Sequence, residues 1–353
     1  MRALVFDVYG GPLTVREVPD PVAPVGGVVV RVGATGICRS DWHGWQGHDR
    51  SITLPHVPGH ELAGTVETVG SGVTRWAVGD RVTVPFVNAC GRCPQCAAGQ
   101  HQVCDDQRQP GFTHWGSFAE LVALEAADVN LVRLPDDLPF AVAASLGCRY
   151  ATAYRAVVQV GRVRAGEWVA VHGVGGLGLS AVQVALASGA QVVAVDVNPR
   201  ALALAASMGA HVVHGPPAPE QVQALTGGGA HLSLDAFGSQ QTCADSVLCL
   251  RTQGRHVQVG LLAEDPVVPM GRVLARELEL LGSHGMAAHA YPQLLALVRS
   301  GRLRPQDLLT RELSLDEAAA GLATVGEPGG ISVVTRFRFK QQQPASGDQP
   351  KKT

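Results

Sequence analysis

Four closely spaced cysteines carry the most specific chemistry in this sequence. They follow the pattern C-x2-C-x2-C-x7-C and are Cys90, Cys93, Cys96 and Cys104. Four thiolates at short spacing suit one tetrahedral zinc ion, and they leave no open position for a substrate, so we expect a structural site. Backbone N–H groups, Arg92 or Arg108 are expected to offset its negative charge. Two disulfides are the alternative, which a long chain without a secretory signal disfavours.

Three further ligand-type side chains are far apart in the sequence. Cys38 opens the segment CRSDWH, His60 lies in VPGHELAG, and Cys148 lies in LGCRYATAYRA. Each alone is more often a buried structural residue. Together they match three zinc ligands with a fourth position open to water or an alcohol. Because zinc lowers the pKa of bound water to about 7, an alcohol bound there is expected to lose its proton easily.

A glycine-rich segment, GVGGLG, follows the apparent strand EWVAVHG and precedes the apparent helix LSAVQVALASG. This context predicts a dinucleotide-binding loop, in which the helix N-terminus meets the phosphates. The cofactor-binding residues expected here are Gly173, Gly175, Gly176, Leu177 and Gly178. Asp196 ends the next strand, where its carboxylate can bind ribose hydroxyls and repel a 2′-phosphate, so NAD is expected rather than NADP. A helix N-cap is the alternative for Asp196. Arg200 either braces the ribose or weakens this discrimination.

The elements that must position these residues change in character near residue 150. Short strands broken by Gly and Pro come first and indicate a β-barrel-like unit. Strands then alternate with helices, which predicts an α/β fold with a parallel sheet covered on both faces. The chain has 353 residues and a net charge of −2, without a basic stripe. We therefore expect two domains, no nucleic-acid partner, no membrane span and a cytoplasmic location.

These motifs occur in an order that resembles the zinc-containing medium-chain alcohol dehydrogenases along nearly the whole chain, apart from the tail. The resemblance implies a Rossmann doubly wound parallel sheet (153–285), a GroES-like β-barrel catalytic domain (1–152 and 286–340) and a disordered tail (341–353). It also implies reversible oxidation of a small or medium primary or secondary alcohol to an aldehyde or ketone. The hydride goes to NAD, two zinc ions are bound per chain, and the protein is a homo-oligomer, either a tetramer or a dimer.

The resemblance implies roles for the metal ligands and their neighbours. Cys38, His60 and Cys148 match the ligands of the catalytic zinc, and the four-cysteine cluster matches the structural site. Glu61 matches an acid behind the metal that can ligate transiently, with an ordinary buried ion pair as the alternative. Asp41 matches the acid that orients the histidine ligand, with a turn cap as the alternative.

Other site residues are also implied by the resemblance. Ser40 and His43 match a proton relay from the alcohol to solvent, whereas a turn serine and a surface histidine are the alternatives. Arg39 matches a pyrophosphate contact, and an ordinary surface arginine is its alternative. Val259 and Gly260 are expected to line the nicotinamide end of the cofactor site. The residues expected to line the substrate pocket, unless they are core aromatics, are Trp45, Phe86 and Trp115.

Two rival functions remain on the sequence alone. A polyol or amino-alcohol dehydrogenase of the same superfamily commonly has an acidic residue where Cys148 stands. A non-catalytic NAD-sensing zinc protein needs only the four-cysteine cluster and the glycine-rich loop, and it has no use for a proton relay. Zinc-free quinone reductases share the fold but lack the cluster.

Overall fold

The computed structural model describes residues 1–216, 218–325 and 330–337. The strands are β1 (Arg2–Val5), β2 (Thr14–Glu17), β3 (Val28–Gly36), β4 (Glu61–Val69), β5 (Arg81–Thr83), β6 (Leu121–Leu124), β7 (Val132–Arg133), β8 (Trp168–His172), β9 (Gln191–Asp196), β10 (His211–His214), β11 (Ala230–Asp235), β12 (Leu250–Gln258), β13 (Glu279–Gly282), β14 (Leu309–Ser314) and β15 (Ile331–Arg336).

The α-helices are α1 (Arg39–Trp45), α2 (Pro94–Ala97), α3 (Ala127–Asn130), α4 (Phe140–Ala144), α5 (Ala151–Tyr154), α6 (Gly176–Ala187), α7 (Pro199–Ser207), α8 (Ala218–Thr226), α9 (Gln240–Leu248), α10 (Met270–Arg276), α11 (Tyr291–Arg299) and α12 (Ala318–Ala323). Tighter 3-10 turns occupy His101–Val103, Ala288–Ala290, Pro305–Leu308 and Leu315–Glu317. Wider π-helical turns occupy Leu146–Tyr150 and Arg155–Val160.

A parallel six-stranded sheet has the order β10-β9-β8-β11-β12-β13. Every neighbouring pair in it is parallel. The central strand β8 is almost wholly buried, as expected when helices cover both faces of a sheet. The strand order reverses between β8 and β11, which is where ligands bind in doubly wound folds. The glycine-rich loop follows β8 and therefore lies at this crevice.

A second sheet is built mainly from the first third of the chain. Its order is β14-β15-β3-β4-β5-β7, and β6 pairs with β3 outside this path. The long strand β3 pairs with β4 along its length, with β6 near its start and with β15 near its end. One strand with three partners must bend, and β3 has register shifts against β4 that allow it. The sheet therefore curls in the manner expected of a barrel.

Between the two sheets runs a helical segment that comprises α4, α5 and the two π-helical turns. Its buried side chains belong to one hydrophobic cluster that also contains residues of β3, β4, β8 and β9. Tyr291 at the start of α11 and Val333 in β15 belong to the same cluster. The end of the described chain thus belongs to the second sheet and packs into the same core, and burial of this shared core holds the two sheets in contact.

The predicted α/β class, with a doubly wound parallel sheet and a separate sheet domain, is confirmed by this topology. The boundaries at residues 152, 153, 285 and 286 remain predictions. The expected disordered tail, 341–353, lies outside the described residues, as do residues 338–340 at the end of the expected catalytic domain. Within the described chain, no helix combines the length and apolarity that crossing a bilayer requires.

Candidate active site

The four-cysteine cluster converges, with its sulfur atoms all within 4.8 Å of one another. All eight cysteines of the chain lie in described positions, and none forms a disulfide. Backbone N–H groups donate to the sulfurs at 3.3–3.5 Å, including those of residues 90, 92, 93 and 96. Arg92 pairs with Asp106 and Arg108 with Glu125, so the backbone provides the closest compensation for thiolate charge. The N–H groups lower the pKa of Cys93 to about 6.

The dispersed ligand-type residues also converge. One ligand atom each from Cys38, His60, Glu61 and Cys148 lies within 4.8 Å of the others. Cys38 immediately precedes α1, His60 immediately precedes β4, and Cys148 lies in the π-helical turn Leu146–Tyr150. A π-helical turn widens the backbone and is frequently found at functional sites. Three separate elements therefore present two thiols and an imidazole to one buried space.

Asp41 orients this site through both of its carboxylate oxygens. Oδ1 accepts hydrogen bonds from His60 Nδ1 at 2.8 Å and from the Gly59 N–H at 3.1 Å. Oδ2 accepts one from the Cys38 N–H at 2.9 Å, which also caps α1. The two readings of Asp41, an orienting acid and a turn cap, are thus both geometrically satisfied. With Nδ1 as the donor, His60 presents Nε2 as a lone-pair acceptor.

The donor set fits a soft divalent cation. His60 Nε2 is buried, and no hydrogen-bond partner for it is found in the described part of the chain. Contact with the Cys148 thiol holds the pKa of Cys38 well below its ordinary value, and the same contact raises that of Cys148 well above. Two neighbouring thiols cannot both ionise unless a positive charge lies between them. A zinc ion would supply that charge and the missing partner for Nε2.

Glu61 is fully buried and pairs with Arg149, whose Nη2 donates to Oε2. Burial raises the pKa of Glu61 to about 7, although the Arg149 charge opposes this shift. The predicted ion-pair alternative for Glu61 is therefore present, and the carboxylate is also within the convergent set. Sequence reasoning missed Arg149. A charged residue inside the apolar run AVAASLGCRYATAYRAV was the available signal, because arginine is rarely buried without a partner.

The expected relay residues flank the metal-type site. Ser40 Oγ lies 3.7 Å from Cys38 Sγ. His43 is half-buried, and its Nδ1 lies 2.9 Å from Nδ1 of His48. Burial, followed by the charges of Arg39 and His48, lowers the pKa of His43 below its ordinary value. His48 was not expected to have a role, since a histidine five residues after another forms no recognisable spacing.

The three predicted pocket aromatics differ in their surroundings. Phe86 meets the His60 ring edge-on, with the ring centroids 6.2 Å apart. Trp45 donates its indole N–H to the Gly11 carbonyl and packs against a small core cluster. Trp115 donates to the Pro55 carbonyl and packs in another. The structure thus brings Phe86 to the site and gives the two tryptophans core contacts.

Phe112 is an additional aromatic neighbour of the site. Its ring centroid lies 5.2 Å from that of His60, and Trp45 packs in the same small cluster as Phe112. Trp45 therefore packs against the cluster that contains Phe112, which in turn lies beside His60. No periodicity in the turn-rich segment GFTHWG marks Phe112 in the sequence, because its position depends on how that loop folds back over His60.

The glycine-rich loop has the close contacts that its glycines predict. Gly173 has a φ of +83°, and its N–H donates to the Val195 carbonyl at 2.8 Å. A Cβ on Gly178 would lie 1.9 Å from the Gly173 carbonyl oxygen, whereas one on Gly175 would meet no atom within 4 Å. Gly178 therefore permits close packing of α6, and Gly175 borders open space. Leu177 is half-buried against the main core.

Asp196 stands at the end of β9, and both carboxylate oxygens accept backbone hydrogen bonds. Oδ2 accepts from the Val174 N–H at 2.7 Å, and Oδ1 accepts from the Asn198 N–H at 2.8 Å. The N-cap of α7 is Asn198, so the predicted alternative role of Asp196 as that cap is wrong. Asp196 instead ties the glycine-rich loop to the end of β9. The Arg200 side chain is exposed.

Residues that follow strands of both sheets meet beside the glycine-rich loop. The Arg39 guanidinium lies 6.0 Å from the Phe237 ring centroid, and a Cβ on Gly173 would lie 2.6 Å from Phe237 Cβ. Arg39 therefore reaches across to the loop that follows β11. Val259 and Gly260 follow β12, and both N–H groups donate to the Asp235 carbonyl. Phe237 was not predicted from the sequence.

Known proteins resemble this chain in sequence and in fold. A family model described as an alcohol dehydrogenase GroES-like domain matches residues 24–136. A second, described as a zinc-binding dehydrogenase, matches residues 176–300. The first match contains the four-cysteine cluster, Cys38 and His60, and the second contains most of the parallel sheet.

Individual relatives cover most of the chain. An alcohol dehydrogenase of Geobacillus stearothermophilus is 38% identical over 288 residues, which are 80% of this chain and 84% of that protein. An NAD-dependent alcohol dehydrogenase of Sulfurisphaera tokodaii is 31% identical over 90% of this chain and 94% of its own. The solved structure of the alcohol dehydrogenase TADH from Thermus sp. ATN1 matches with a TM-score of 0.88 and 34% identity, covering 96% of this chain and 100% of that one.

Proposed function

The chain belongs to the zinc-containing medium-chain alcohol dehydrogenases, and from this premise we propose that it oxidises small primary or secondary alcohols with NAD. The observation that carries the proposal is the convergence of Cys38, His60 and Cys148 within 4.8 Å. Three ligands with a position left open are the pattern of a catalytic zinc site rather than a structural one. The four-cysteine cluster serves as the structural site.

Cys38, His60 and Cys148 would hold the catalytic metal, and Asp41 fixes the histidine tautomer through Nδ1. When bound, zinc makes the alcohol hydroxyl more acidic and NAD accepts the hydride. Glu61 lies beside these ligands, where its carboxyl group pairs with Arg149. The residues of the chain thus set the charge around the metal position and the orientation of His60 before a substrate arrives.

Ser40 and His43 are proposed to carry the alcohol proton to solvent. The Ser40 hydroxyl can accept one proton while donating another, and it lies beside Cys38. The lowered pKa of His43 keeps its imidazole neutral near pH 7, in the form that accepts a proton. His48, at 2.9 Å, is exposed and offers the next nitrogen toward solvent.

The substrate pocket is proposed to have an aromatic wall. The rings of Phe86, just after β5, and Phe112, in the segment before β6, both lie against the His60 ring. Both side chains are apolar, so they favour the hydrocarbon part of a small alcohol and offer nothing to the several hydroxyls of a polyol. Trp45 supports Phe112 from behind.

NAD is the proposed cofactor. The Asp196 carboxylate lies at the end of β9 with its oxygens already held by two N–H groups, and its negative charge opposes a 2′-phosphate. Arg39, the glycine-rich loop, Val259 and Gly260 complete the proposed cofactor crevice. The NAD-dependent relative from Sulfurisphaera tokodaii supports the same choice.

We further propose the division into a catalytic domain (1–152 and 286–340) and a nucleotide-binding domain (153–285). A cytoplasmic homo-oligomer, either a tetramer or a dimer, completes the proposal. The exposed apolar side chains in and just before α10, such as Val267 and Leu274, are consistent with association of chains.

The test is to count metal and follow NADH formation in the same preparation. Purified protein is analysed for zinc and then mixed with a panel of alcohols and polyols, with NAD or NADP, while absorbance is recorded. Two zinc ions per chain and NADH formed from simple alcohols are expected. One zinc ion and no turnover with any alcohol would indicate a non-catalytic, NAD-sensing protein and overturn the proposal. Faster turnover of polyols would overturn the substrate class alone.

A further inference from the structure

We propose that Arg149 is a pyrophosphate-binding residue that joins the bound dinucleotide to Glu61 beside the metal ligands. The inference rests on the proposed dinucleotide-dependent function and adds a contact that the motifs do not provide. Arg149 immediately follows Cys148 and lies in the π-helical turn between the two sheets. It is therefore connected by one peptide bond to the metal site.

Arg149 is buried at the interface of the metal site and the glycine-rich loop. Only 6% of the residue is exposed, and Nη2 donates to Glu61 Oε2. A Cβ on Gly36 would lie 2.1 Å from Glu61 Oε2 and 2.8 Å from Arg149 Nη2. The end of β3 thus has a glycine where any side chain would displace the ion pair.

The other side of the guanidinium faces the start of α6. A Cβ on Gly176, the first residue of α6, would lie 2.8 Å from Arg149 Cδ and 3.1 Å from Nη1. Nη1 is the guanidinium nitrogen closest to this position, and Nε follows at 3.7 Å. The ion pair therefore spans the distance between the metal ligands and the loop.

The hydrogen bonds of Arg149 are incomplete. Its Nε is buried without a hydrogen-bond partner in the part of the chain that the structure describes. A buried donor left unpaired costs about 1–3 kcal/mol, so a partner is expected when the site is in use. One oxygen of Glu61 takes one of five guanidinium N–H groups, and the rest of the fork remains available to an anion.

The positive charges near Arg149 also favour the binding of a phosphate group. The N-terminus of α6, a helix of 12 residues, has positive potential and unpaired N–H groups. A guanidinium at this end is unfavourable by itself, because two positive groups then face one space. A phosphate between them removes the repulsion and accepts from both, and guanidinium groups bind phosphate in a bidentate manner. Gly175 leaves the adjoining space open.

The competing explanation is that Arg149 only neutralises Glu61. The two explanations differ when both charges are removed together. Replacing Arg149 alone leaves the buried Glu61 carboxylate unpaired, which destabilises the fold whichever explanation holds. In the double variant Arg149→Gln/Glu61→Gln no buried charge is left unpaired, so a purely structural defect is relieved. If Arg149 contacts a phosphate, that contact stays lost in the double variant.

The experiment measures binding of ADP-ribose, which contains the pyrophosphate but no nicotinamide, by isothermal titration calorimetry. The variants are Arg149→Gln, Arg149→Lys and the double variant, and adenosine is titrated in parallel. Arg155→Gln removes a half-buried arginine six residues further along the same helical segment and serves as the matched control. Thermal melting establishes that each variant is folded, and zinc content establishes that it has bound its metal.

Removing one charge-assisted contact is expected to weaken ADP-ribose binding about tenfold to a hundredfold in Arg149→Gln and equally in the double variant. Arg149→Lys should recover part of the affinity, and adenosine binding should not change. Wild-type affinity for ADP-ribose in the double variant would overturn the inference and leave the proposed function intact. Failure of the wild-type protein itself to bind ADP-ribose would overturn the dinucleotide-dependent function, and this inference with it.

Discussion

Asp41→Asn isolates what a buried carboxylate contributes to the metal site. Asp41 accepts three hydrogen bonds, from His60 Nδ1, the Gly59 N–H and the Cys38 N–H. Asparagine has the same shape but only one acceptor atom. If its oxygen retains the bonds to His60 and Gly59, its NH2 group faces the Cys38 N–H, and two donors oppose each other.

The expected magnitude follows from this count. The substitution removes one charge-assisted hydrogen bond, worth about 1.5–3 kcal/mol, and the ionic part of the bond to His60. Loss of an outer-shell partner generally weakens metal affinity by about 10–100-fold, which is about 1.4–2.7 kcal/mol. The two routes agree, so we expect the catalytic site to bind zinc about 10–100-fold more weakly.

The assay is a zinc titration of metal-free protein in competition with a chromogenic chelator. Wild-type protein should bind two zinc ions. In Asp41→Asn the zinc affinity of the four-cysteine site should be unchanged, and that of the catalytic site should be weaker. Asp49→Asn is the matched control, because Asp49 lies in the same region and bonds only to Ser51 among the contacts described. Two unchanged affinities in Asp41→Asn would refute the argument that this carboxylate orients the ligands.

Four further outcomes are expected. Cys93→Ser should remove one zinc ion and lower the melting temperature while the other site still binds; loss of both ions would contradict separate sites. Gly178→Ala should destabilise the fold by about 1–3 kcal/mol in a denaturant titration, since its Cβ would lie 1.9 Å from the Gly173 carbonyl. Asp196→Ala should raise kcat/KM with NADP relative to NAD about tenfold, and an unchanged ratio would exclude charge as the cause. His43→Gln should slow alcohol oxidation most at low pH, because hydroxide can accept the proton directly at high pH; an equal loss across the kcat–pH profile would argue against a relay.

Arg149 and Asp41 support the metal site in different ways. Asp41 bonds directly to a ligand residue and to the backbone of another. The Arg149 side chain donates to Glu61, and its Nη1 and Nε lie nearest the start of α6. The structure therefore contains one support that acts on ligand geometry and another that connects the metal site to the nucleotide crevice.

The four-cysteine cluster and the glycine-rich loop could be read from the sequence because their contacts are local. Spacing over a few residues determines which sulfurs can share an ion, and a strand followed by glycines and a helix determines where phosphates are bound. The alternation of strands and helices predicted the fold class, and the order of all the motifs predicted the family and the alcohol dehydrogenase function; these predictions are confirmed. The residue types of Cys38, His60 and Cys148 suited a zinc site, but the resemblance was needed to assign them to one site, since nothing local relates Cys38 to Cys148.

Only the tertiary structure decided the contacts between distant residues. Glu61 and Arg149 are 88 positions apart, and their ion pair exists because the π-helical turn packs against the end of β3. Packing likewise places Phe112 on His60. Sequence spacing fixes contacts within one loop or turn, whereas contacts across the core depend on how all the buried side chains fill space together.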